Sequence, residues 1–219
     1  MCIRDSGVTL ENGVNALGNI NINGGKISIY SNDDGIHADG VLTISDGIID
    51  ITKSYEGLEG LQVIINNGDI SIVSSDDGIN STATSGQGIV IDGGNLYILA
   101  GGDGLDSNSR TAYSGIVFKG GKTVVISTSG GNSAIDTEAG YTYTSGSVLA
   151  IMPNGGMTSE ATHCSNFSSV AKKISMSLSS GKTLTVSVSN SAILSVKIPC
   201  NLSAIVIYLG STSANISLN

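Results

Sequence analysis

The side chains able to do chemistry are mostly carboxylates, and they recur in phase. An acidic or polar residue, a glycine and an aliphatic residue repeat as Asn12-Gly13-Val14, Asp34-Gly35-Ile36, Glu56-Gly57-Leu58, Asp77-Gly78-Ile79 and Asp103-Gly104-Leu105, with a degenerate copy at Ser133-Ala134-Ile135. Successive copies are 22, 22, 21, 26 and 30 residues apart. Three residues after the first position, a second series reads Asn15, His37, Glu59, Asn80, Asp106 and Asp136, and Asp33, Asp39, Asp76 and Glu138 lie beside the two series. If consecutive copies stack as neighbouring strands, equivalent positions are about 4.8 Å apart and form columns. Like charges at that spacing repel and raise one another's pKa values. A hard cation, taking about 6–8 oxygen ligands, would relieve them. The pattern predicts bound Ca2+, with Asp33, Asp34, Asp39, Glu56, Glu59, Asp76, Asp77, Asp103, Asp106 and Asp136 as candidate ligands and the adjacent glycines permitting unusual turns. The competing reading is local: Asp-Gly is a good turn, and these acids cap it through nearby backbone. His37 falls in the column, where a lone histidine reads as a surface hydrogen-bonding residue; His163 receives no role.

The elements that would position these acids are short strands. One or two glycines follow an apolar residue in Ile22-Asn23-Gly24-Gly25, Ile44-Ser45-Asp46-Gly47, Ile65-Asn66-Asn67-Gly68, Ile91-Asp92-Gly93-Gly94 and Phe118-Lys119-Gly120-Gly121, and Met152-Pro153-Asn154-Gly155-Gly156 reads as a last copy. Alternating segments follow, such as Ile27-Ser28-Ile29, Ile49-Asp50-Ile51, Ile70-Ser71-Ile72 and Leu96-Tyr97-Ile98, the signature of strands buried on one face. Copies of about 22 residues cannot bury a face alone and must stack. The fold class expected is all-β, a parallel β-helix of five to six rungs, with Ile27, Ile49, Ile70 and Leu96 in one internal ladder and Ile29, Ile51, Ile72 and Ile98 in the next. The segment after the acidic tripeptide lengthens, to 81–87, 108–114 and 138–145, which predicts a lip on one side, commonly the binding face of a solenoid.

Composition agrees. Glycine supplies 30 of 219 residues, there is no Trp, and charged residues make up 13%, about half the usual fraction. Strand and turn formers dominate over helix formers. No apolar run reaches the ~18 residues of a membrane helix. The net charge of −8 disfavours nucleic acid, which requires a cationic face. Residues 1–158 hold 17 acids and 6 bases, whereas 159–219 hold one acid, Glu160, and four lysines. That shift places a boundary near 155–160, separating a solenoid over 7–158 from a C-terminal antiparallel cap over 159–219. The cap is expected from strands at 174–178, 184–188, 193–198 and 204–208, which would cover the open edge of the last rung. Cys164 and Cys200 are candidates for a disulfide or for two separate thiols. Residues 1–6 lack the apolar core of a signal peptide and read as a foreign start on a fragment of a larger protein.

The stretches Ser31 to Gly40, Ser54 to Gly60 and Ser74 to Asn80 resemble a family of bacterial, often clostridial, surface proteins described as carbohydrate-binding-domain-containing. The resemblance runs from about residue 9 to 156 and weakly beyond. It implies a right-handed parallel β-helix of pectate-lyase shape, association with Ca2+, and binding of cellulose and acidic pectic polysaccharide. The implied setting is extracellular or on the cell surface, as a monomeric part of a modular protein with no membrane insertion. Asp33, Asp34, Glu56, Glu59, Asp76, Asp77, Asp103 and Asp106 match the family's acidic positions, and the sixth copy, lacking Asp-Gly, departs from them.

Two functions follow from different classes. A lyase would use Ca2+ to neutralise a uronate carboxylate and a Lys or Arg as base. Lys53, three residues before Glu56, is the candidate, with Arg110 in a lip; a surface charge paired with neighbouring acids is the plainer reading of Lys53. A binding module needs no base, and Ca2+ would bridge its carboxylates to those of the glycan. Tyr55, Tyr97, Tyr113, Tyr141 and Tyr143 are the aromatic candidates, with Tyr55, Tyr113, Tyr141 and Tyr143 assigned to ligand contact together with Lys53 and Arg110. A structural stalk with no glycan is the third reading. The non-catalytic binder of acidic pectic glycan or cellulose is preferred.

Overall fold

The computed structural model describes residues 2–3, 7–10, 13–155 and 157–219. Strands coil into a parallel β-solenoid of about six turns and three faces. On the first face, Ile27, Ile49, Ile70, Leu96, Thr123 and Val148 align, as do Ile29, Ile51, Ile72, Ile98, Val125 and Ala150. On the second, Val14, Ile36, Leu58, Ile79, Leu105 and Ile135 align. These are the aliphatic residues of the tripeptide, so the sequence spacing is the length of each coil. The third face stacks Ile22, Ile44, Ile65, Ile91, Phe118 and Tyr143. Nearly all of these side chains are buried, forming one continuous core; each such side chain contributes about 1.5–3 kcal/mol. Two proposed positions, Asn12 and Gly156, lie outside the described residues, as do Met1 and residues 4–6 of the supposed foreign start. Cys2–Ile3 pairs in parallel with Asn21 and Ile22.

Two glycine columns hold the corners for different reasons. Between the third and first faces, Gly25, Gly47, Gly68, Gly94, Gly121 and Gly146 have positive φ, from 73° to 126°, a region that only glycine enters freely. The sixth member is Gly146, after Tyr143; Met152-Pro153-Asn154-Gly155 instead ends a first-face strand, Ser147–Pro153, and is not the last copy of this turn. The glycines of the acidic tripeptide do not have positive φ. A β-carbon on Gly35 would stand 2.6 Å from the Gly57 carbonyl oxygen, and Gly57 and Gly78 are blocked in the same way by the carbonyls of Gly78 and Gly104. Close approach of the next coil, not an unusual turn, excludes a side chain there. In the sixth coil the position is Ala134, fully buried.

The lip is shorter than expected. Segments 82–88 and 108–115 are true insertions, joined by Ser109 Oγ donating to Gly86 O at 2.6 Å and Gly86 N donating to Thr111 Oγ1 at 2.8 Å. The proposed third insertion, 138–145, contains the third-face strand Thr142–Tyr143. Tyr141 and Tyr143 are therefore core residues in place of isoleucine, 0% and 7% exposed, and cannot contact sugar. Tyr141 packs edge-on against Phe118 and donates its hydroxyl to Ala161 O.

The C-terminal segment does more than cover an edge. Leu202–Leu209 runs antiparallel to Ser147–Pro153 and to Ala171–Leu178, extending the first face. Two short helices absent from the expected all-strand cap, Thr158–Thr162 and Phe167–Val170, bring Ala161, Phe167 and Val170 against the end of the core. Thr183–Val188, Ser191–Lys197 and Asn215–Leu218 form a separate antiparallel sheet. Its buried Leu184, Val186 and Leu194 share a second core with Val124, Ile126, Leu149 and Ile151 from the outer side of the first face. Cys164 and Cys200 are free thiols, so the disulfide is not formed.

Candidate functional site

The acids converge on the second face and on the corner that leads into it. Strand pairing aligns Asn15, His37, Glu59, Asn80, Asp106 and Asp136, all outward-facing at the middle of each second-face strand. The tripeptide's leading acids stand at the corner beside them. There, carboxylates cap the backbone of the following coil: Asp34 Oδ1 accepts from Glu56 N at 3.2 Å, Asp77 Oδ1 from Asp103 N at 2.7 Å, and Asp103 Oδ1 from Ser133 N. Asp34, Asp77 and Asp103 thus each tie one coil to the backbone of the next.

Around the second and third coils the charge is met from within. His37 Nδ1 lies 2.6 Å from Glu59 Oε2 and 3.1 Å from Asp34 Oδ2, and His37 Nε2 lies 3.1 Å from Asp39 Oδ1. Partial burial lowers the imidazole pKa, but the hydrogen bond to Asp34 and the charge of Glu59 outweigh it and raise the net value. Asp34, His37 and Glu59 form the one group among the described residues whose ligand atoms lie within 4.8 Å of one another. The imidazole, when protonated, occupies the place between carboxylates that a cation would take. His37 stands in the column as expected, in register with Asn15 and Glu59, and hydrogen-bonds there. Asp33 is exposed below this group, in a hollow of about 310 Å3 shared with Asp34 and His37.

From the fourth coil upward no such partner is present among the described residues. Burial, with neighbouring carboxylates adding to it, raises Asp106 to about 7. Burial raises Asp103 to about 7, against the backbone hydrogen bond from Ser133. In the third coil, Glu56 reaches about 8, chiefly through burial and then Glu59, although Asn80 Nδ2 donates to both its oxygens at 3.2 Å. Asn80 Oδ1 itself is buried without a hydrogen-bond partner. Asp106, Asp136, Glu138 and Glu160, with Asn108 and Met157, line a hollow of about 300 Å3 at the upper end of the face. Glu160 comes from the first short helix and helps to raise Asp136, after burial. The sequence reading missed it because it stands on the far side of the charge boundary, with no repeat phase to connect it to the column.

The donor set of this hollow suits a hard cation. It offers carboxylate and amide oxygens and neither imidazole nor thiolate. The remaining candidates are distributed differently. Lys53 Nζ donates to Asn32 Oδ1 and stands 5.0 Å from the centre of the Tyr30 ring, a cation–π contact. Tyr55 is half-exposed, and its hydroxyl is raised in pKa chiefly by a hydrogen bond to Asp76. Arg110 is exposed on the lip, where its backbone N donates to Thr84 O. Tyr113 is 42% exposed, at φ 53°, with its ring edge-on to His163 at 5.4 Å. Thus Tyr113 and Arg110 border the second face from the lip, whereas Lys53 and Tyr55 border it from the corner.

A family model described as carbohydrate-binding domain-containing protein matches residues 4–57 and 59–201. The chain belongs to this carbohydrate-binding domain family. No curated protein and no solved structure matches it.

Proposed function

We propose that the protein is a non-catalytic module that binds polysaccharide outside the cell or on its surface, and that it holds acidic pectic glycan through Ca2+ at the acid face. The observation that carries this is the upper hollow: Asp106, Asp136, Glu138 and Glu160 share one concavity with no cationic partner among the described residues. No three of these carboxylates bring their oxygens within 4.8 Å of one another, so the four side chains would close on the ion as it binds; Asp103 stands beside them. Bound calcium would supply a positive centre able to attract a uronate carboxylate as well as the protein's own. Asp106, ionised, would meet the ion; Tyr113 and Arg110 would flank a chain lying along the face. Family membership supports the carbohydrate, and the hard-oxygen donor set supports the metal.

The binding reading is preferred to a lyase because Lys53, the candidate base, is engaged by Asn32 and Tyr30. Titration calorimetry on chelator-stripped protein should show Ca2+ binding at or below millimolar concentration. Affinity gels containing polygalacturonate should retard the protein with Ca2+ and release it with EDTA. Absence of calcium heat, or retardation indifferent to EDTA, would exclude the bridge.

A further inference from the structure

A second concavity lies on a different face and has a different chemistry. On the outer surface of the first face is a groove of about 520 Å3. Its floor is two rows of outward side chains: Lys26, Ile48, Asp69, Asn95 and Lys122 in one row, and Asp50, Ser71 and Tyr97 in the next. Strand pairing spaces the members of each row by about 4.8 Å. Its wall is Leu194 of the separate C-terminal sheet. The groove exists because that sheet packs on the later coils and leaves the earlier ones uncovered: Val124 is buried beneath it, Tyr97 is half-buried at its margin, and Ile48 is 48% exposed beyond it.

We infer that this groove seats a neutral polysaccharide chain, without calcium. The inference rests on the carbohydrate-binding reading and adds to it a second site for a second class of glycan. Two lysines offset two aspartates, Asp50 and Asp69, so the groove is neutral although the protein carries −8. A polyuronate gains no net attraction from such a lining, whereas a neutral chain needs none. A neutral sugar presents apolar C–H faces and a rim of hydroxyls. Ile48 and Tyr97 supply the apolar floor, and Asn95, Asp69 and Ser71 supply polar groups at the coil spacing, the mixture expected of a ligand site. Asn95 Nδ2 donates to Asp69 Oδ1 at 2.7 Å, which fixes both side chains and leaves the second carboxylate oxygen for a sugar hydroxyl.

The test is affinity electrophoresis in EDTA through gels containing, in turn, hydroxyethylcellulose, xylan, galactomannan and starch. The intact chain should be retarded by at least one. Tyr97→Ala should weaken that retardation about tenfold, the scale of a lost aromatic contact, while Tyr97→Phe keeps most of it. Ile48→Asp, at an exposed position, should abolish it without disturbing the fold, as checked by circular dichroism. Both groove variants should keep calcium-dependent retardation by polygalacturonate, if the wild type has it. Retardation by none of the four, or retardation unchanged in Tyr97→Ala and Ile48→Asp, overturns the inference. So does a dimer in sedimentation that Ile48→Asp dissociates, which would make the groove an interface between copies. Loss of polygalacturonate retardation alone would sink the calcium bridge and leave the groove standing.

Discussion

In the second and third coils the acid face closes around an imidazole; in the fourth to sixth it closes around nothing cationic among the described residues. The two regions share one backbone, one register and one column of positions. They differ in what stands between the carboxylates. Below, Asp34, Asp39 and Glu59 are each within 3.1 Å of a His37 nitrogen. Above, burial raises Asp103 and Asp106 to about 7, with no cationic partner among the described residues to hold them ionised. A buried charge must be paired or lose its charge. Around His37 the lower coils take the first course, while Glu56 beside it, raised to about 8 by burial, takes the second. The upper coils are left between the second course and an external cation.

Breaking the common backbone should have the largest effect. Gly57→Ala or Gly78→Ala drives a β-carbon into the carbonyl of the next coil and should cost about 3 kcal/mol or more, to the point of insolubility. Ala134→Gly, at the same position in the sixth coil, should cost only about 1 kcal/mol in urea denaturation. Equal costs at both ends would mean that stacking does not select glycine.

Calcium should divide the two regions. At a concentration a hundredfold above its dissociation constant, it should add about 2.7 kcal/mol to stability. That gain should disappear in Asp106→Asn/Asp136→Asn and persist in His37→Gln, read as the shift in thermal midpoint. A gain that follows His37 instead would move the site to the lower coils.

Removing the internal cation should cost less. His37→Ala leaves Asp34 and Glu59 facing one another and should lose about 1–3 kcal/mol. The upper coils also carry a core flaw without a lower counterpart: Thr123 replaces an aliphatic residue in the first-face ladder, and its Oγ1 is buried without a partner. Thr123→Val should add about 1 kcal/mol; a loss would show that the hydroxyl is satisfied in solution.

The calcium-free protein should also respond to pH. Asp103 and Asp106, ordinarily near 3.8, rise to about 7 in the fold. Between these values the native state binds more protons than the unfolded chain, so stability falls as pH rises and the loss is complete above about pH 8. The thermal midpoint in EDTA should decline from pH 5 to pH 8, and calcium should flatten the decline.

The ladders were legible because alternating isoleucine marks a buried strand face directly, and the acid columns because they share the ladder's phase. Tyr141 and Tyr143 were misplaced because aromatic residues replaced the aliphatic signal; their alignment with Ile116 and Phe118, before the turn at Gly146, was the clue available. The docking of the C-terminal sheet on the side of the coil was also encoded. Thr123-Val124-Val125-Ile126 and Val148-Leu149-Ala150-Ile151-Met152 drop the alternation, as strands covered on both faces do. Glu160 and the pairing geometry of His37 required the chain to be folded, since neither a repeat phase nor a local motif links Glu160 to Asp136.

The strand Leu202–Leu209 has a consequence for the molecule as a polymer unit. Parallel coils offer the same evenly spaced, slanted hydrogen bonds at every level, so one stack could in principle continue into another and grow into a fibre. Leu202–Leu209 runs against that direction and presents the alternating pattern of an antiparallel ladder, with Ala171–Leu178 beyond it. A further parallel coil finds no matching edge. The reversal therefore ends the stack on this side and keeps one rod from being continued by another there.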